Sequence, residues 1–87
     1  MLNDEASVEF AEALAGRMVT EVTGGEEKRL RHGFELAVQR SPRAKEADRL
    51  LRFVRQQRDS QPQATEKALW TSVARVLLNL DEFMTRE

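Results

Sequence analysis

The side chains able to do chemistry are few and scattered. The chain of 87 residues has no cysteine and one histidine, His32. That excludes disulfides, thiolate nucleophiles, haem attachment of the C-x-x-C-H type, cysteine zinc sites and histidine-rich metal sites. His32 as a general base would need a nucleophile and a pocket beside it. On a helix running through residues 26–39 it lies about 200° from Leu30, which points it to solvent, with Glu35 three residues on as a surface partner. The hydroxyls, Ser7, Thr20, Thr23, Ser41, Ser60, Thr65, Thr71, Ser72 and Thr85, fall mostly at helix ends or on exposed faces. Carboxylates cluster at Asp4-Glu5, Glu26-Glu27 and Asp81-Glu82. Each cluster sits at a helix terminus, where acids favour the dipole or face water. A paired-carboxylate acid/base site needs a cleft that a chain of this size does not easily enclose. No spacing resembles an EF-hand or a P-loop. The expectation is therefore no catalytic residue, no cofactor and no metal.

The charge pattern is more informative. Residues 1–25 hold one positive and five negative side chains, residues 26–58 ten and five, and residues 59–87 three and five, within a net charge of −1. The basic middle culminates in a helix over 42–57 on which Lys45, Arg49 and Arg52 share the side opposite Ala47 and Leu51. Arg40, Arg43, Arg55 and Arg58 flank them. Such a stripe is most often a plain solvated face, and it also suits an acidic protein surface or a phosphate backbone. Against nucleic acid, Glu46 and Asp48 interrupt the stripe, Asp48 is placed to pair with Arg52 at i+4, and only Phe53 among the aromatics is interleaved. Replacing Arg49 and Arg52 would reduce the salt slope of any nucleic-acid binding by about 2. The candidate interaction face is Arg43, Lys45, Arg49 and Arg52, together with Leu78.

The elements that must carry these residues read as four helices. Gly24-Gly25, Arg40-Ser41-Pro42 and Arg58-Asp59-Ser60-Gln61-Pro62-Gln63 divide the chain. The first helix spans about 4–22, with Asn3 as N-cap and Ala11, Leu14, Ala15, Met18 and Val22 at helical spacing. The second, about 26–39, shows Leu30, Phe34, Ala37 and Val38, with Gly33 permitting close helix approach. The third, about 42–57, takes Ser41 as cap and Pro42 at its first position, and presents Ala47, Leu50, Leu51 and Val54. The fourth, about 63–84, carries Leu69, Trp70, Val73, Ala74, Val76, Leu77, Leu80, Phe83 and Met84. Its apolar positions span more than half the circumference, so it is central and either packs against at least two other helices or exposes Leu78 to a partner surface. Asn79 either caps a neighbouring helix end or breaks this helix. An all-α, compact four-helix bundle follows, one domain over 1–87, with a core of Leu14, Met18, Leu30, Phe34, Val38, Leu50, Val54, Leu69, Trp70, Val73, Leu77 and Leu80. Aliphatic runs of three residues exclude a membrane-spanning helix, which needs about 20. A monomer is favoured, and the compartment is not encoded in the start of the chain.

Leu2-Asn3-Asp4, Val8-Glu9, Ala11, Leu14-Ala15 and Arg17, then Arg40-Ser41-Pro42 with Glu46, then Leu69-Trp70-Thr71 and the ending Leu77-Leu78-Asn79-Leu80-Asp81-Glu82-Phe83 resemble one family across nearly the whole chain. It is the C-terminal region of an uncharacterised domain in planctomycete-type proteins that also carry cytochrome-c-like domains. The resemblance implies the C-terminal part of a larger exported or periplasmic multidomain protein, whose other domains are the partners. It transfers no haem chemistry, because no haem-attachment motif exists here. The family usually has Gly and Thr flanking its R-x-P turn, where this chain has Gln39 and Arg43, and often Cys where this chain has Ala74. Loss of the Thr shifts the expected cap of the third helix to Ser41.

Overall fold

A computed structural model of the chain describes residues 5–80, with side chains from Val8 onward. Four helices form: α1 (Glu5–Glu21), α2 (Glu26–Val38), α3 (Ala44–Ser60) and α4 (Glu66–Leu78). Among the described residues there is no strand, and the helices pack into an all-α bundle. The expected positions Asn3, Asp4, Phe83 and Met84, and the stretch of the fourth helix beyond Leu80, lie outside the described residues.

Apolar side chains recurring every three or four residues give each helix one stripe to bury, and α4 receives all three others: α1 most extensively, then α2 and α3. Ala11 and Ala15 of α1 and Ala74 of α4 are fully buried. Their small side chains let the two helices approach closely. The rest of the core is Met18, Leu30, Phe34, Leu50, Val54, Leu69, Trp70, Val73, Leu77 and Leu80. Leu14 and Val38, expected inside, are half-buried at the edge. The buried line of α1 runs through Ala11, Ala15 and Met18, about 70° from Leu14. Val38 is the last residue of α2, where the chain turns away.

The helix ends differ from the expected ones for local reasons. Gly25 precedes α2 at φ 128°, a backbone angle that a side chain would strain. Gln39 closes α2 in the left-handed region (φ 64°, ψ 34°), its N–H donating to the Glu35 carbonyl. α3 starts two residues later than expected. Its N-cap is Arg43 rather than Ser41, and the Arg43 N–H donates to Glu46 Oε1 at 2.9 Å, half of a capping box. Ser41 Oγ instead donates to Glu35 Oε2 at 3.2 Å. Nothing stops α3 at Gln57, so it runs on to Ser60. Pro62 then prevents continuation, and Thr65 caps α4 by accepting from the Ala68 N–H at 3.0 Å. α4 ends at Asn79, whose backbone N–H reaches the Val76 carbonyl and whose side-chain amide donates to the Arg75 carbonyl. The helix-breaking role of Asn79 is the one adopted.

Candidate interaction surface

The arginines of the basic middle third separate into two groups. Arg29, Arg40 and Arg58 turn inward to tie helices together. Arg29 donates through Nε and Nη2 to the Val22 carbonyl just beyond α1, at 3.0 and 2.8 Å, and its guanidinium lies 5.5 Å from the centre of the Trp70 ring. It thus caps α1 from α2 while covering the largest core side chain. Arg58 of α3 bonds Glu26 of α2 and Glu66 of α4. Glu66 also accepts from Trp70 Nε1 at 3.3 Å. The Arg58 guanidinium holds the Glu66 carboxyl below its usual range. Glu66, and then Glu26, push Arg58 upward in turn.

Arg40 makes the tightest joint. Its two terminal nitrogens grip both oxygens of Glu46 at 2.9 and 2.8 Å, and its guanidinium lies over the Phe34 ring at 5.1 Å. Glu46 is buried, and the bidentate Arg40, helped by the Arg43 N–H, holds its carboxyl down at about 2 against an ordinary 4.5. Arg40 and Arg58, read from sequence as flanks of the basic stripe, are therefore parts of the frame. Glu46 does not interrupt that stripe from the surface, because it faces inward. His32 is also redirected: its Nε2 lies 2.6 Å from Glu21 Oε1 of α1, not against Glu35, and Arg17 shares the same carboxylate. Arg17 first and His32 second hold Glu21 below its usual range. These are ionic staples between or along helices, and no nucleophile stands at any of them.

The second group stays on the outer side of α3. Arg43, Lys45, Arg52 and Arg55 are exposed and Arg49 is half-buried. Arg52 pairs with Asp48 at 2.8 Å, as the i+4 spacing predicts, with Arg52 still 76% exposed. The helix brings Lys45, Arg49 and Arg52 onto one side, while Arg43 stands at its N-cap one turn before Ala47 and Leu78 belongs to α4. Of the two expectations for α4 the first holds: it packs against three helices, and Leu78 is half-buried against the core. The large apolar side chains that do stand out are Val8 (40% exposed) and Phe10 (56%), on α1. Periodicity does not single them out, since Val8 is in register with Ala11 and Phe10 with Leu14.

One feature of this surface had no signal in the sequence. Between α2 and α3 runs an apolar groove with Leu30, Phe34 and Leu50 as its floor and Pro42, Ala47 and Leu51 as its walls. Its lining comes from both helices and the turn between them, so only the packed pair defines it. Among the described residues no group of three or more acidic or histidine side chains is arranged to hold a metal ion, and no helix is long and apolar enough to cross a membrane. No family model, curated protein or solved structure matches the chain. The site must be read from its own geometry.

Proposed function

We propose that the chain is a non-catalytic helical module of a larger exported or periplasmic protein, and that it docks onto an acidic protein surface through the outer face of α3. The observation that carries this reading is the division of the arginines. Arg29, Arg40 and Arg58 are absorbed in helix-to-helix ties, yet Arg43, Lys45, Arg52 and Arg55 are kept at the surface of a chain whose net charge is −1. Even with Asp48 paired to Arg52, the exposed side of α3 keeps a positive excess that solubility alone does not require. Docking of this kind gains specificity and speed from complementary charge.

The membership of a larger protein rests on the resemblance stated above, and two observations support it. The position where the family usually has Gly is Gln39, which holds a left-handed backbone. The position where it usually has Thr is Arg43, the N-cap of α3. Glycine and threonine are the residues those two conformations favour. Ala74, where the family often has Cys, is fully buried and accepts only a small side chain.

The test is an amide NMR titration of the labelled chain with the preceding region of the parent protein at low and high salt. Shifts confined to Arg43–Arg55 that fade with salt are the expected result. Shifts centred on Phe10, or none at all, would refute docking through α3. A titration with duplex DNA separates a protein partner from a phosphate backbone, because only the latter would bind with a steep salt slope.

A further inference from the structure

Resting on the docking reading above, we infer that the acidic surface met by α3 is α1 of a second copy of this chain, so that copies associate head to tail. The packing order places the two faces. α1 and α3 each pack against α2 and α4 but hardly against each other, which sets them on opposite sides of the bundle with their outer faces directed apart. On α3, Lys45, Arg49 and Arg52 lie across the helix from buried Leu50 and Val54, and exposed Arg55 flanks them. Asp48, paired with Arg52, and Asp59 are the acids on that side, so it stays net positive. On α1, Glu9 and Glu12 stand exposed, turned away from the buried line of Ala11, Ala15 and Met18. Further along, Glu21 is already matched by Arg17 and His32, so the acidic side is the first half of α1. The sequence divides in the same way, with five acidic side chains against one arginine in residues 1–25 and ten lysines and arginines against five acids in residues 26–58.

A body with opposite charge on opposite sides is complementary to itself in one arrangement only. A two-fold dimer through either face would set α3 against α3 or α1 against α1 and bring like charges together, whereas α1 against α3 joins opposite charges. Because the two faces are directed apart, a pair of copies cannot make both contacts at once. The contact is therefore heterologous: each pair keeps one free face of each sign, and association continues into rows or a closed ring. Apolar side chains border both faces. Val8 precedes Glu12 by one turn, Phe10 stands out on the other flank of the same segment, and half-buried Phe53 follows Arg49 by one turn of α3. Such borders shield the charges from water, without which exposed ion pairs contribute little.

The test is sedimentation velocity of the whole 87-residue chain over a wide concentration range at low and high salt. The expected result is a mean mass that rises with concentration at low salt and returns to that of one chain at high salt. The monomer is then the high-salt state. Reversing one face, by Glu9→Lys with Glu12→Lys or by Lys45→Glu with Arg52→Glu, should leave each variant a monomer at low salt, because both of its faces then carry one sign. Mixing the two variants should restore association, since the faces of one are opposite to those of the other, and a folding defect cannot produce that rescue. Association that ignores salt, that survives both reversals or that fails to return on mixing would overturn the inference. If the wild-type chain stays monomeric at low salt while the preceding region of the parent protein still shifts Arg43–Arg55, the second copy falls and docking through α3 stands. A monomer with no such shifts overturns both.

Discussion

Gln39 sets the most direct test of the joint between α2 and α3. Its φ of 64° and ψ of 34° place a residue with a Cβ where the left-handed conformation costs about 1–2 kcal/mol, and its N–H already makes the bond to Glu35 that a helix-closing residue should make. Replacing it by glycine removes the steric cost without touching that bond. The greater chain entropy of glycine when unfolded gives back about 0.5–1 kcal/mol, so Gln39→Gly should stabilise by about 0.5–1 kcal/mol. The conformation also predicts an order. Asn, which tolerates this region, should fall between Gly and Gln, and Ala should match Gln, since both carry a Cβ. Arg43→Thr acts at the other end of the same turn. At φ −75° and ψ 162° the backbone is already that of an N-cap, and a threonine hydroxyl could accept from the N–H of Glu46, whose carboxylate already returns the bond. A gain of about 1 kcal/mol is expected. Thermal melts followed by circular dichroism resolve such effects, since each kcal/mol moves the midpoint by about 4–8 °C in a domain of this size. An Ala variant more stable than Gly would refute the reasoning, because it would mean that α2 continues through residue 39.

Other perturbations follow from the same geometry. Glu46 has its folded pKa depressed to about 2 from 4.5, so its contribution to stability is complete above about pH 4.5 and is lost as pH falls toward 2. The full shift would correspond to about 3 kcal/mol, and the 40% exposure of Arg40 reduces this to about 1–2 kcal/mol. Glu46→Gln should therefore cost about that much at pH 7 in urea melts, and its deficit against the parent chain should vanish near pH 2. A deficit independent of pH would show that the ion pair is not its source. Trp70→Ala empties the largest fully buried side chain and should cost about 3–5 kcal/mol, enough to abolish cooperative melting if the whole domain has near 5. An unchanged midpoint would remove α4 from the centre. Gly33→Ala would drive a methyl into Met18, whose Cγ lies 2.9 Å from the new atom and whose Sδ and Cε lie closer still. Crowding of about 1–3 kcal/mol should outweigh the helix-propensity gain of about 1, and the sign should reverse in a Met18→Ala background. Additivity of the two changes would refute that contact.

What could be read in the sequence was whatever depends on one helix at a time. The stripes through Leu50 and Val54, or through Trp70, Val73 and Leu77, need only a period of 3.6, and the all-α bundle around α4 follows from them. The start of α3 departs from the expected Ser41 because two local rules compete at Arg40-Ser41-Pro42. Serine followed by proline is a strong start signal, yet Glu46 can close a box only on Arg43, and the carboxylate is held there by Arg40 from the turn after α2. That decision rests on a side-chain pair six residues apart, which no single helix-end rule contains. The same holds for His32, whose partner Glu21 is eleven positions away, and for Arg58, whose partners lie on two other helices. The groove between α2 and α3 is invisible for a further reason: its apolar lining is divided among α2, α3 and Pro42 in the turn between them, so it exists only once the two helices are packed.

Arg43 is the residue at which fold and proposed function pull against each other. At an N-cap, arginine is a poor choice, since its side chain has no acceptor for the helix N–H groups, and the adjoining Gln39 leaves α2 closed under strain. The turn between α2 and α3 is thus less stable than its backbone allows. Local rules are broken at functional sites in exchange for something else. For Gln39 the structure offers no such exchange. For Arg43 it offers one: the side chain stands exposed at the start of α3, at the edge of the proposed docking face. Thermal stability and partner affinity should therefore move in opposite directions in Arg43→Thr and in the same direction, or independently, in Gln39→Gly. A threonine variant that melts higher and binds the preceding region of the parent protein as tightly as the parent chain would remove Arg43 from the interface and leave its place at the cap without a physical account.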